Sequence, residues 1–265
     1  MNSASKKAIL VVSFGTSYEN TRKLTIEAIE HDIADAFPAC PTYRAWTSKM
    51  IIAKLKKRDG LTIHTVKEAL EQMLLDGITD VIVQPTHVIN GIENDQMKAD
   101  ALSFRDRFSS IVFGNPLLTT EEDNHAIVRV VADEFRDMDP DTALVLMGHG
   151  TEHYANTVYA ALDYRFKDTG HKNIFLGTVE AYPALDSLLR AADSFHPKKI
   201  VLAPFMIVAG DHAQNDLAGA DPDSWMNRLS SEGYEVTPVL KGLGEYPQVR
   251  QILVEHVQQA MNASI

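Results

Sequence analysis

The stretch Ala143-Leu-Val-Leu-Met-Gly-His-Gly150 indicates the fold class. Its continuous apolar run is typical of a buried parallel strand, and the glycines on both sides of His149 indicate a turn directly after that strand. An earlier stretch, Ala8-Ile-Leu-Val-Val-Ser-Phe-Gly-Thr16, aligns with residues 143–151 at a constant offset. This repetition predicts two related α/β lobes, although generic strand–helix units could also resemble each other by chance.

Helical and strand patterns alternate along the rest of the chain. Apolar residues recur at helical spacing across Thr21–Phe37, and Thr65 with Glu68 predicts a capping box for a helix that Gly77 closes. Further strands are predicted at Val81–His87 and Ser110–Gly114. The alternation predicts an α/β fold of two similar lobes, each a mostly parallel sheet flanked by helices, which face each other across an active-site cleft.

The natural linker between the lobes is Met138-Asp-Pro-Asp141. We therefore expect an N-terminal lobe at residues 1–138 and a C-terminal lobe at 139–265 that carries the metal site. A final helix at about 246–265 could pack back on the first lobe.

Composition excludes several classes of protein. The formal net charge of −11 argues against general nucleic-acid binding, and no apolar run approaches the roughly 20 residues that span a bilayer. Cys40 is the single cysteine, which excludes an internal disulfide and a thiolate cluster. Residues 1–7 precede an apolar run, ending at Phe14-Gly15, that is too short for a convincing export signal and lacks a small-residue cleavage site, so a cytoplasmic protein is expected. The basic segment Arg44–Arg58 is either a solvated helix face or a docking surface for a polyanionic small molecule.

Three side chains of metal-binding type follow strand-like runs in the second half. They are His149, Glu180 after Ile174-Phe-Leu-Gly-Thr-Val, and His212 after the run that begins at Ile200. Parallel strands end at one edge of a sheet, roughly 4.8 Å apart, so these side chains could converge on one ion. Two imidazoles and a carboxylate suit a divalent transition metal. Glu180 could instead cap the next helix.

The repeat places different residues at the corresponding positions of the first half. Val83–Glu93 aligns with Leu202–His212, and Arg44–Ser48 aligns more loosely with Leu176–Glu180. Phe14, Ser48 and Glu93 then correspond to His149, Glu180 and His212. Only the second lobe is expected to hold a full metal site.

Other motifs in the chain bear on different functions. His149-Gly-Thr-Glu-His153 matches the pattern of inverted zinc peptidases, which requires one continuous helix, whereas the flanking glycines indicate a turn. No nucleotide-binding P-loop is present. The Ser13–Ser17 loop could bind an anion through backbone N–H groups or be an ordinary connection.

The chain as a whole resembles the anaerobic sirohydrochlorin cobaltochelatases among the ATP-independent class II chelatases. The residues that carry the resemblance are Leu10–Ser17, Lys57–Gly60, His87–Gly91, Met147–Gly150, Val179-Glu180, Tyr182-Pro183, Val208–Asp216, Asp223–Trp225 and Gly242–Glu245. The resemblance implies two ferrochelatase-like lobes, a cleft for a tetrapyrrole, and His149, Glu180 and His212 as metal ligands. This chain has Ile92 where the family has an acidic residue before Glu93.

The expected activity is ATP-independent insertion of Co²⁺ into sirohydrochlorin or precorrin-2 in anaerobic cobalamin biosynthesis. The alternatives are a sirohydrochlorin ferro- or nickel-chelatase and a non-catalytic metal or tetrapyrrole carrier. No prosthetic group is expected, since Co²⁺ (or Fe²⁺ or Ni²⁺) is a substrate. Nucleic acid and membranes are not expected partners, and a homo-oligomer is an open option. We expect the catalytic and metal-binding residues to be His149, Glu180 and His212, and the substrate-binding residues to be Ser13, Phe14, Thr16, Ser17, His87, Gly91 and Glu93.

Overall fold

The computed structural model describes residues 6–263. Residues 1–5, part of the segment considered for an export signal, and residues 264–265, the end of the expected second lobe, lie outside the described residues. Contacts divide the chain into two compact units, one ending at 119 and resuming at 247, the other spanning 120–246. Within the described range, no helix is long and apolar enough to cross a membrane.

The first unit is a parallel sheet of four strands in the order β2-β1-β3-β4 with helices around it. Its elements are β1 (Lys7–Ser13), α1 (Glu19–Leu24), α2 (Ile26–Ala36), β2 (Thr42–Trp46), α3 (Lys49–Asp59), α4 (Val66–Leu75), β3 (Asp80–Pro85), α5 (Ile92–Leu102), β4 (Ser110–Phe113) and, after the second unit, α10 (Pro247–Asn262).

The central strand β1 explains why this sheet is covered on both faces. Ala8 through Val12 are all fully buried, so an alternating apolar and polar pattern would not fit. Ala8, Leu10 and Val12 join a core cluster with Leu70 of α4 and Met97 of α5. Helix α10 packs against α2, β3 and β4.

The second unit repeats the parallel sheet in the order β6-β5-β7-β8. Its elements are α6 (Glu121–Glu134), β5 (Thr142–Gly148), α7 (Thr157–Asp168), β6 (Ile174–Thr178), α8 (Leu185–Asp193), β7 (Lys199–Pro204), a π-helical turn (Ala213–Leu217), α9 (Trp225–Ser231) and β8 (Glu235–Pro238). Each strand thus takes the place of its counterpart in the first sheet, and this confirms the predicted fold class of two α/β lobes.

The equivalent turns after β1 and β5 share a backbone feature. Gly15 and Gly150, aligned in the sequence, both lie in the left-handed region, with φ of 105° and 88°. A Cβ on Gly15 would lie 2.4 Å from the Trp46 ring, and one on Gly150 would lie 2.8 Å from the Ala181 backbone nitrogen. Glycine is therefore required at both turns.

Two expectations, one about a helix and one about the division into lobes, differ from the structure. The helix predicted over Thr21–Phe37 is divided at Thr25, whose φ and ψ are −119° and −79° and whose hydroxyl donates to the Thr21 carbonyl at 2.5 Å. A threonine hydroxyl that competes for a helical carbonyl favours such a bend. The capping box of Thr65 and Glu68 is present as predicted, with α4 ending just before Gly77.

The second difference concerns the division of the chain. We expected the boundary at residue 138, but the contacts place α6 and the segment 138–141 inside the second unit. The reason is that α6 packs on α7, where Arg165 binds Glu121 at the start of α6. Helix α10 groups with the first unit, in line with the expectation that a final helix at about 246–265 could pack back on the first lobe.

Candidate metal centre

The candidate ligands lie after three neighbouring strands, at one edge of the second sheet. His149 directly follows the central strand β5, Glu180 lies two residues beyond β6, and His212 follows the connection after β7. The pairing of β5 with β6 continues past the strands, because Val179 N–H donates to the Gly148 carbonyl at 3.0 Å and Glu180 N–H donates to the His149 carbonyl at 2.9 Å. His149 and Glu180 are therefore held side by side.

The three side chains lie close enough to share one ion. A ligand atom from each of His149, Glu180 and His212 lies within 4.8 Å of the others. Glu180 Oε2 is 3.7 Å from His149 Nδ1, and Glu180 Oε1 is 3.8 Å from His212 Nε2. The imidazole rings meet edge to face, with centroids 4.6 Å apart and planes at 85°. The side chains are 46%, 53% and 30% exposed, so a hydrated ion could reach them from solvent.

The histidine rings are anchored by different acceptors. His149 Nδ1 is 2.7 Å from the Gly150 carbonyl oxygen, and His212 Nδ1 is 2.8 Å from Asp216 Oδ2. A carbonyl oxygen and a carboxylate only accept hydrogen bonds, so we assign the ring hydrogen to Nδ1 in both cases. This assignment leaves a lone pair on Nε2, the nitrogen of His212 that faces Glu180.

Tyr159 of α7 supports the turn that carries His149. Its ring lies where a Cβ on Gly148 would be, 2.6 Å from Tyr159 Cε1. Burial raises the pKa of the Tyr159 hydroxyl, and a hydrogen bond from the Gly150 backbone opposes this rise. The Gly150 backbone is thus bonded to Tyr159 while its carbonyl holds His149.

Comparison with known proteins gives the family. The family model described as cobalt chelatase (CbiK) matches residues 7–262. The chain belongs to this family. It is 39% identical over 260 residues to a Salmonella typhimurium (strain LT2) protein named sirohydrochlorin cobaltochelatase, with 98% of each chain covered. It is 32% identical over 265 residues to a Nitratidesulfovibrio vulgaris (strain Hildenborough) protein named sirohydrochlorin cobaltochelatase CbiKC, covering 97% of this chain and 92% of that one.

A solved structure shows the same fold at low identity. SirB from Bacillus subtilis with Fe³⁺ superposes with a TM-score of 0.65 at 14% identity, covering 98% of this chain and 97% of that one. The resemblance to a chelatase family predicted from the sequence motifs is confirmed.

In this cobalt chelatase family member, the peptidase pattern His149–His153 does not form the required helix. His149 lies in the turn after β5, and His153 precedes a short 3₁₀ turn, where its Nδ1 accepts the Ala155 N–H at 3.2 Å. Within the described part of the chain, no helix carries both histidines. The inverted zinc peptidase alternative therefore lacks its structural basis.

The predicted substrate-binding residues of the Ser13–Ser17 loop follow β1 at the carboxyl edge of the first sheet. The Ser13 hydroxyl is buried and accepts a 2.9 Å hydrogen bond from the Thr86 hydroxyl, which links the ends of β1 and β3. Thr16 and Ser17 are also buried, whereas the Phe14 side chain is 43% exposed. Phe14 is thus the most accessible of these residues.

The other predicted substrate-binding residues lie after the neighbouring strand β3. Gly91 is buried and caps α5, and Glu93 is exposed in the first turn of that helix. His87 as a whole is half-buried, yet both of its ring nitrogens are inaccessible and have no hydrogen-bond partner among the described residues. Burial lowers the pKa of His87 to about 4, so its ring is neutral near pH 7.

The basic segment Arg44–Arg58 is partly neutralised within the first unit. The Arg44 guanidinium forms a two-pronged ion pair with Glu30, with Nε 2.8 Å from Oε1. Arg58 pairs with Asp59 and donates to the Ser17 carbonyl at 2.8 Å. The lysines of this segment are exposed, which fits a solvated helix face.

Neither Asp216 nor Tyr159 is among the functional residues predicted from the sequence. A signal for Asp216 was present, because an acidic residue four positions after a histidine can reach it on a helical turn. Tyr159 gave no such signal, since its support of the turn depends on a tertiary contact with the backbone of Gly150.

Proposed function

We propose that the chain catalyses insertion of Co²⁺ into sirohydrochlorin without nucleotide hydrolysis, as a step of anaerobic cobalamin biosynthesis. The observation that carries this proposal is the convergence of His149, Glu180 and His212 within 4.8 Å at a sheet edge. The choice of metal and tetrapyrrole in this proposal is supported by full-length similarity to relatives named sirohydrochlorin cobaltochelatase.

Metal insertion exchanges a hydrated divalent ion for two pyrrole protons. The protein must remove water from the ion, present it to the ring and accept the protons. Three protein ligands leave coordination positions open, whereas a closed four-ligand site would retain the metal. Imidazoles suit both tasks because they bind metals when neutral and take up protons near neutral pH.

In this mechanism His149 and His212 each offer a ring nitrogen to the incoming ion, and Glu180 balances part of its charge. The exposure of all three side chains supports a site that exchanges metal with solvent rather than one that stores it. Co²⁺ is then a substrate, and Fe²⁺ and Ni²⁺ are competing substrates of the same class. We also propose that Phe14 and Glu93, both exposed, contact the tetrapyrrole.

The decisive experiment is an anaerobic insertion assay with sirohydrochlorin and Co²⁺ in large excess over the purified protein, followed by the visible spectrum. We expect many turnovers per protein, a rate independent of added ATP and Mg²⁺, and faster insertion of Co²⁺ than of Ni²⁺. Product limited to one equivalent would indicate a carrier instead. A strict ATP requirement would contradict the nucleotide-independent mechanism, and a strong nickel preference would contradict the cobalt assignment.

A further inference from the structure

Asp216 is bonded to the ring nitrogen of His212 that points away from Glu180. Asp216 Oδ2 lies 2.8 Å from His212 Nδ1, while His212 Nε2 faces Glu180 Oε1 at 3.8 Å. The Asp216 carboxylate therefore forms a hydrogen bond with Nδ1, and Nε2 faces the predicted metal position.

The turn that joins these two residues is anchored in the core of the second unit. His212 precedes the π-helical turn Ala213–Leu217, in which Ala213 and Leu217 are fully buried. At its end, Gly219 N–H donates to the Asn215 carbonyl at 2.9 Å, and a Cβ on Gly219 would lie 2.3 Å from that oxygen. Buried side chains within the turn and the backbone hydrogen bond at its end hold its conformation. The fold therefore sets the distance between His212 and Asp216.

From this geometry we propose that Asp216 is a positioning residue, which holds His212 in the Nδ1–H form with its Nε2 lone pair directed to the metal. The proposal rests on the proposed function for its biological meaning. Histidine ligands commonly donate their second N–H to a carboxylate or a carbonyl, and such partners typically contribute roughly 10- to 100-fold to metal affinity or activity. A neutral histidine without such an acceptor prefers its hydrogen on Nε2, which would block the metal-binding nitrogen.

The first test reads the tautomer directly in the metal-free, full-length protein. Two-bond ¹H–¹⁵N correlations of ¹⁵N-histidine-labelled protein distinguish Nδ1–H from Nε2–H rings. We expect the Nδ1–H pattern for His212 in the wild type and in Asp216→Asn, whose amide oxygen can still accept. In Asp216→Ala we expect the Nε2–H pattern. An Nε2–H pattern for His212 in the wild type would overturn the proposal even if no variant folded.

The second test measures binding of Co²⁺ alone by calorimetric titration. We expect Asp216→Ala to weaken binding by roughly 10- to 100-fold and Asp216→Asn to weaken it less. The matched control is Asp35→Ala, which removes an aspartate with the same four-residue spacing from His31, 3.2 Å away, both side chains being exposed on α2. The control should bind Co²⁺ as the wild type does. An Asp216→Ala affinity within about twofold of the wild type would overturn the proposal.

Insertion kinetics separate positioning from a merely structural effect. Loss of His212 orientation should raise the KM for Co²⁺ more than it lowers kcat, with partial rescue in Asp216→Asn, whereas an unchanged KM would count against the proposal. The tautomer and Co²⁺ titrations need no tetrapyrrole. Failure of cobalt insertion would therefore overturn the proposed function while these two measurements still decide the role of Asp216.

Discussion

The residues of the candidate metal centre combine exposed side chains with firmly held backbone. His149 and Glu180 are linked through their backbones, and yet their side chains are about half exposed. Removing such a side chain opens little of the hydrophobic core, so loss of function and loss of stability should be separable.

We expect His149→Ala and His212→Ala to lower the rate of Co²⁺ insertion by more than about 100-fold, because each removes a metal ligand. Glu180→Gln keeps the shape but removes the charge, so metal binding or proton acceptance should weaken. Insertion rates and melting temperatures on the same preparations check this. His31→Ala, at a surface histidine 73% exposed, is the control. Near wild-type turnover in all three variants would contradict the site assignment.

The Glu93 carboxylate either contacts the substrate or stabilises the start of α5. Gly91 caps this helix without a side-chain hydrogen bond, and Glu93 is the second helical residue. We expect Glu93→Gln to reduce turnover by roughly tenfold or more if the carboxylate acts on the substrate. Glu122→Gln is the matched control, since Glu122 is the exposed second residue of α6. Equal loss of stability in both variants with full turnover would instead assign Glu93 to the helix start.

At the level of elements, strand ends were predictable and connections less so. The apolar runs from Lys7 and Ala143 define β1 and β5 because fully buried strands carry no polar alternation. The bend at Thr25 depends on one hydroxyl, and the boundary before α6 depends on packing against α7. The first contact is local but leaves no mark on the apolar spacing, and the second is a tertiary contact that local sequence does not encode. The structure brings His149, Glu180 and His212 together as the strand order requires, while their role as ligands stays a prediction.

The turn after β5 gives a prediction at this scale. Gly150→Ala should destabilise the second unit by roughly 1–3 kcal/mol more than Gly170→Ala, which is the typical cost of overpacking. Both glycines have positive φ, 88° and 96°, but a Cβ at Gly170 meets nothing within 4 Å. Gly150→Ala should also weaken Co²⁺ binding because it moves His149. Urea unfolding and Co²⁺ titration of the two variants check this, and equal effects would show that φ alone matters.

For the whole molecule, one topology used twice carries different chemistry in each unit. The position equivalent to Glu180 is Ser48 in the first unit, where the hydroxyl accepts the Ile51 N–H at 3.4 Å and begins α3. The repeat was readable from the aligned apolar strands, because both units need the same buried sheet. The repeat could not predict the partners Asp216 and Tyr159, because residues that support a function of one unit have no required counterpart in the other.

The first unit also contains a buried group that makes stability depend on pH. The folded chain keeps His87 neutral down to its lowered pKa of about 4, whereas an unfolded histidine takes up a proton near pH 6.5. Between these values the unfolded state binds more protons than the folded state. The free energy of unfolding therefore falls as the pH drops from about 6.5 toward 4, by at most ~1.4 kcal/mol per pH unit from this residue.

Replacing His87 with leucine should remove this dependence. We expect the stability of His87→Leu relative to the parent to increase between pH 7 and pH 5, because leucine has no proton to gain. A Trp225→Phe background leaves Trp46, fully buried in β2, as a fluorescence probe of the first unit during urea unfolding. His31→Leu, at an exposed histidine, controls for the loss of a histidine as such. A stability difference that is the same at both pH values would contradict the lowered pKa of His87 and the burial of its ring nitrogens in the folded protein.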